Sequence, residues 1–221
     1  MLQNSLYKRV RYRIANWWHR RFQSPTYWEE RYLSGKNSGS GSYGRLAEFK
    51  ARFLNDFVKE HQIQDVLELG VGDGNQLSIA SYPKYCGIDV STTAIKLCRE
   101  RFTNDPTKKF FTTQGDDKRT SELALSLDVL YHLVEDAIFG SYLTDLFARG
   151  TRFVVIYAAN RDDNPYFEVK HVKFRNFTSW VERNCPDWKL ESCSNNQYPY
   201  DPSSPDETSF ADFYVFRRST R

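Results

Sequence analysis

The chain has 221 residues, of which 40% are hydrophobic and 16% aromatic, enough apolar material to exclude a disordered chain and to fill the core of one α/β domain with extensions. It has no run of about 18 apolar residues and no apolar stretch before a small-residue cleavage site, so neither a membrane-spanning helix nor a secretory leader is expected, and the expected location is cytoplasmic. The net charge of +3 is uneven: Lys8, Arg9, Arg11, Arg13, Arg20 and Arg21 leave a body of 25 basic and 28 acidic residues, whose mildly acidic balance argues against nucleic acid as a partner.

Leu6, Val10, Ile14, Trp17, Trp18 and Phe22 recur at helical spacing, with most of the arginines opposite. This basic amphipathic helix could rest peripherally on an anionic membrane. Ser24-Pro25 is expected to break it, and Thr26 to Leu33 to start a second helix. Residues 34–44, with four glycines and four serines, form the one low-complexity segment, flexible unless something orders it. We therefore divide the chain into a basic helix with a Gly/Ser segment, residues 1–44, and a domain of residues 45–221.

A helix is expected from Arg45 to His61, where Leu46, Phe49, Phe53, Leu54, Phe57 and Val58 share a face. Short apolar runs then alternate with helical segments. Strands are expected at Val66–Leu69, Tyr85–Val90, Lys109–Thr113, Leu123–Leu130 and Arg152–Ala158. Helices are expected near Asn75–Ala80, at Ser91–Phe102 with Ser91 as N-cap, at Glu135–Ala148 and at Phe177–Asn184. Trp188–Ser194 and Phe210–Arg217 follow as two strands with no helix between them. Five β/α units imply a mostly parallel sheet with helices on both faces, and the final pair an antiparallel hairpin at one edge. Cys86, Cys98, Cys185 and Cys193 make no C-x-x-C pair or zinc spacing and read as ordinary buried thiols.

The sharpest signal is Glu68-Leu69-Gly70-Val71-Gly72-Asp73-Gly74, between a strand and a helix. Alternate glycines let the backbone turn and let a ligand approach with no Cβ in the way. A dinucleotide fingerprint starting at Gly70 would need its third glycine at position 75, which is Asn75.

Here the chain resembles class I S-adenosylmethionine-dependent methyltransferases, whose first motif is an acid followed by x-G-x-G-x-G. The resemblance spans residues 26–217 and implies a Rossmann-like sheet of seven strands, the seventh antiparallel. It implies S-adenosylmethionine as cofactor, its amino-acid end held by Glu68 and the loop amides of Gly70, Val71, Gly72 and Gly74. Asp89, at the end of the second strand beside Val90 and 21 residues after Glu68, can accept both ribose hydroxyls. Gly115-Asp116 resembles the adenine site, with Asp117 competing for that role.

Ligands of open α/β sheets sit at the carboxyl ends of the strands, which places Asp128, Tyr131 and His132 near a transferred methyl. A hydroxyl acceptor must lose its proton as it attacks, and a neutral imidazole suits that near pH 7. His132 is the candidate base and Asp128 its catalytic companion; a helix-cap or core histidine is the plainer alternative. A divalent ion held by Asp128 with Asn160 and Asp162 would be a different solution, but the family's metal pattern has the two residues adjacent, and we assign no metal. Asn164-Pro165-Tyr166 reads as a turn. The segment His171 to Arg175 and the loop Tyr198 to Glu207 are candidate substrate contacts.

Tyr27-Trp28-Glu29-Glu30-Arg31-Tyr32, Ser42-Tyr43-Gly44 and Ser209-Phe210-Ala211-Asp212-Phe213 add a similarity to small methyltransferases of polysaccharide and glycan pathways. This implies O-methylation of a sugar or glycan intermediate, with another small-molecule O- or N-methyltransferase, or a non-catalytic cofactor-binding subunit, as alternatives. The Gly/Ser segment is expected to act as a lid, Tyr43 and Gly44 touching the cofactor.

Overall fold

A computed structural model describes residues 22–163 and 169–219. The basic head up to Arg21 and the Asn164-Pro165-Tyr166 turn lie outside the described residues. Seven strands, β1 (Val66–Leu69), β2 (Tyr85–Asp89), β3 (Lys108–Thr112), β4 (Ser121–Leu127), β5 (Gly150–Ala158), β6 (Trp188–Ser194) and β7 (Asp212–Arg218), form one sheet in the order β3-β2-β1-β4-β5-β7-β6. The first five strands run parallel, and β7 is antiparallel to both β5 and β6. This is the mostly parallel sheet with an antiparallel C-terminal hairpin that the alternating pattern predicts.

The period of two along the strands sorts side chains to two cores. Leu123, Leu125, Leu127, Phe153, Val155 and Tyr157 face α2 (Gly44–Glu60) and α3 (Thr92–Arg101). Ala124, Val154, Ile156 and Ala158 face α4 (Asp136–Arg149) and α5 (Phe177–Asn184). Ser91 caps α3, its hydroxyl accepting from the Ala94 N–H, which supplies a partner for one orphan donor of the first turn. Among the described residues no helix is long and apolar enough to cross a membrane.

Three local expectations change. The second helix starts two residues earlier than expected: α1 spans Ser24–Leu33 with the proline in its first turn, where a missing N–H leaves no bond unmade. The helix expected at Asn75–Ala80 is a 3₁₀ turn, Gln76–Ile79, because the chain must re-enter the sheet at Tyr85. β4 stops at Leu127, since Asp128 takes a left-handed φ of 59°, and Leu130–His132 forms a 3₁₀ turn. Of the four cysteines, Cys86 and Cys98 are buried but Cys193 is exposed, on an edge strand with one solvent-facing side.

α1, the Ser40–Ser42 3₁₀ turn and the first turns of α2 bring Trp28, Tyr32, Ser42 and Lys50 to the carboxyl ends of the parallel strands. Glu29 of α1 accepts from the Ser91 and Thr93 hydroxyls. Ser24 donates its N–H and its hydroxyl to Glu135. The N-terminal segment is thereby fixed at both margins of the sheet end.

Candidate functional site

A cavity of about 220 Å³ lies at these strand ends. Its walls include Gly70, Val71, Gly72, Glu68, Asp89, Val90, Asp128 and His132, together with Pro25, Trp28, Tyr32, Ser38, Ser42, Lys50, Gln76 and Thr113. Eight of the sequence-predicted residues therefore meet in one place.

The glycine loop turns on left-handed φ values of 87° at Gly70 and 61° at Gly72. A Cβ at Gly70 would strike Val129, and one at Gly72 would strike Ser38 and Tyr32. The Gly72 N–H donates to Asp89 Oδ2 at 2.9 Å and the Ser91 N–H to Oδ1 at 2.9 Å. Asp89 thus locks loop and strand together at the cavity wall. Burial pushes its carboxyl up, against those two backbone donors.

Four of the expected residues do not line the cavity. Gly74 faces away: a Cβ there would meet Cys98 and Phe102 at 3.0 Å, so its bareness serves the packing of α3. Tyr43 donates to Asp73 Oδ2 at 2.8 Å instead of entering the cavity. Gly44 is exposed and opens α2 with φ 53°. Asp116 is ion-paired with Arg149 in the interior, both side chains almost fully buried, and Thr113 takes the wall position beyond β3.

The Gly/Ser segment is held by the loop it covers. The Ser38 N–H donates to Asp73 Oδ2 at 2.9 Å, and the Asp73 N–H returns to Ser38 Oγ at 3.0 Å. Asn75 Nδ2 donates to the Ser42 carbonyl at 2.8 Å. Gly41 passes close enough to Asp128 that a Cβ would sit 2.9 Å from its Oδ2.

At the end of β4, Asp128 is ion-paired with Lys50 Nζ and accepts from Tyr131 OH at 2.7 Å. A non-glycine residue at positive φ is uncommon; here it turns the carboxylate toward α2. Lys50 was missed by motif reasoning. The available signal was its place four residues after Leu46 and four before Leu54, a charge inside an apolar stripe. Of the residues of the metal alternative, Asn160 pairs with Thr178, and Asp162 accepts from the Asn176 N–H.

His132 Nδ1 lies 2.9 Å from the His171 carbonyl. A carbonyl can only accept, so Nδ1 carries the proton and Nε2 keeps its lone pair. Burial pushes the imidazole down to about 4, and it is neutral at physiological pH. Trp28 meets its ring edge-on at 4.9 Å, and His171 stacks 5.4 Å away. His171 thus contributes its carbonyl and its ring to holding His132, while Tyr198 packs on Phe49, away from the cavity wall.

Glu68 is buried and accepts from Tyr85 OH at 2.6 Å. Burial raises its pKa from the ordinary 4.5 to about 7. The raised group stabilises the fold below pH 4.5 and loses that contribution as pH rises toward 7. His132, depressed from 6.5 to about 4, contributes above pH 6.5 and loses it as pH falls toward 4. The two effects oppose each other between pH 4.5 and 6.5. Glu68→Gln is therefore expected to unmask the histidine: stability should rise across that window by about 2–3 kcal/mol more than in the wild type, at 1.36 kcal/mol per pKa unit. Urea melts across the pH series check this, and parallel curves for the two proteins would refute it.

No protein-family model matches the chain, and no curated protein matches it either. Solved structures do. The N-methyltransferase NodS from Bradyrhizobium japonicum WM9, in complex with S-adenosyl-L-homocysteine, matches with TM-score 0.62 and 16% identity, covering 79% of this chain and 88% of NodS. The magnesium protoporphyrin IX methyltransferase ChlM from Synechocystis PCC 6803, with bound S-adenosylmethionine, matches with TM-score 0.62 and 13% identity, covering 90% and 98%. The methyltransferase domain of the bacterial protein CtHen1 gives 0.61 and 16%, covering 79% and 100%. The chain has the class I methyltransferase fold. At these identities the match fixes architecture, and the neighbours span several acceptors, a carbon methyltransferase among them.

Proposed function

We propose that the chain is an S-adenosylmethionine-dependent methyltransferase acting on a hydroxyl, in the first instance that of a sugar or glycan intermediate. The observation that carries the reading is the convergence of the Gly70–Gly72 turn, Glu68 and Asp89 on one cavity within the β3-β2-β1-β4-β5-β7-β6 sheet. Solved neighbours of this fold hold S-adenosylmethionine or its demethylated product. The residues present suit that cofactor: Gly70 and Gly72 turn the loop at the cavity wall on positive φ, Asp89 can accept ribose hydroxyls, and the buried Gln76 Oε1 has no partner of its own.

When bound, the cofactor supplies an electrophilic methyl on a sulfonium. The chain's part is to hold the acceptor and take its proton. His132 Nε2 is the base, presented by the His171 carbonyl, and Trp28 offers a ring face to the C–H side of a sugar. Asp128, tied to Lys50 and Tyr131, fixes the floor beside it. The runner-up acceptor is another small-molecule hydroxyl or amine.

The Gly/Ser segment serves as a lid. Small-molecule sites typically enclose about 300–1,000 Å³, more than the present cavity, so Ser38 and the 3₁₀ turn must lift for entry and then exclude water. Calorimetry with S-adenosylhomocysteine tests the site: the wild type should bind, and Asp89→Ala should bind about 10- to 100-fold more weakly, the worth of hydrogen bonds to a charged acceptor. In the same samples, protease cleavage within residues 34–44 should slow when the ligand is present. Equal affinity in both proteins removes Asp89 from the site, and unchanged cleavage removes the lid.

A further inference from the structure

The cavity is electrically lopsided along its length. Thr113 and Val90 lie at the ends of β3 and β2, where Asp145, held by Lys118 and Arg149, is the charged wall residue, and Asp89 follows at the ribose position. The other end, at β1 and β4, holds Glu68, Asp128, Gln76 and Lys50. Among the described wall residues Lys50 alone carries a fixed positive charge. Its side chain is 1% exposed, and among the described residues Asp128 is its one hydrogen-bond acceptor, which leaves two of its three N–H donors to place. Gln76 Nε2 donates to the Ala47 carbonyl at 3.0 Å, one turn of α2 before Lys50, so the Gln76 amide is fixed at the same end. Its Oε1 is buried and has no partner, a state that costs free energy until a donor arrives.

A lone buried ammonium, an unfilled acceptor and a carboxylate at one end match a ligand end that carries both an anion and a cation. Resting on the cofactor reading above, we propose that Lys50 receives the α-carboxylate of the cofactor's amino-acid end, while Gln76 Oε1 and Glu68 receive its α-ammonium. Asp128 then acts through Lys50 as a positioning residue, holding the ammonium group where the carboxylate must come. Lys50 thereby makes the site discriminate against adenosyl thioethers that lack a carboxylate.

The test compares three ligands on the full chain by calorimetry: S-adenosylhomocysteine, its decarboxylated amine analogue, and 5′-methylthioadenosine, which lacks both charges. Loss of the carboxylate should weaken wild-type binding about 10- to 100-fold, the range for a charge-assisted bond in a buried site. Lys50→Met combined with Asp128→Asn removes both partners of the ion pair together, so no bare charge is left in the interior. This variant should bind 5′-methylthioadenosine like the wild type and lose the preference for the carboxylate. Equal wild-type affinity for S-adenosylhomocysteine and its decarboxylated analogue overturns the assignment without any variant. A double variant that keeps the preference overturns it as well. Failure of the wild type to bind any of the three would overturn the cofactor reading itself, a result distinct from a bound series with no carboxylate effect.

Discussion

Replacing His132 with alanine is expected to lower turnover by about 10²–10⁴-fold, the usual worth of a positioned general base, while leaving S-adenosylhomocysteine affinity unchanged. The imidazole is buried and neutral, with its one N–H spent on the His171 carbonyl. Nε2 is therefore an obligate acceptor, which is what a departing hydroxyl proton requires. His132→Gln keeps a polar side chain but has no ring nitrogen of that basicity, and should fall as far. Single-turnover methylation of a sugar panel, paired with calorimetry, separates the two effects. Undiminished turnover in both variants would leave His132 as a packing residue against Trp28.

Arg149→Met is expected to be among the most destabilising single changes in the chain. Arg149 and Asp116 are 2% and 0% exposed at their side chains, and the arginine also bonds Asp145 and the Arg119 carbonyl. Deleting one member of a buried pair strands the other charge, at a cost of about 3–5 kcal/mol. For a chain of this length that corresponds to a fall in Tm on the order of 10 °C. Adding Asp116→Asn to Arg149→Met should recover much of the loss, because the stranded charge is gone. A thermal melt of the single variant within a degree or so of wild type would show that the pair carries little of the stability.

The fold was legible in the sequence because its signals are local. Alternation at β4 and β5, the Ser91 cap and the glycine turn each depend on a few neighbouring residues, and each was placed within a few positions. Glu68, Gly72, Asp89, Asp128 and His132 came from the same short windows and share one cavity. What could not be read is long-range. The pairing of Lys50 with Asp128 joins residues 78 apart, and that of Arg149 with Asp116 residues 33 apart. The resemblance sent Asp116 to the ligand, and no motif gave Lys50 a role. Gly74 shows the converse error: a glycine inside a binding motif whose bareness is needed by Cys98 and Phe102 of the neighbouring helical segment.

The place of β7 has a consequence for the newborn chain. It is synthesised after β6, yet it lies between β5 and β6 and pairs with both. Until Asp212–Arg218 has left the ribosome, β6 has no strand to join. For the same interval the fully apolar run Phe153–Ala158 of β5 presents an open edge, a ready template for pairing with another nascent chain. The sheet beyond β5 therefore closes in one late step, and β6 must wait unpaired for the strand that separates it from β5.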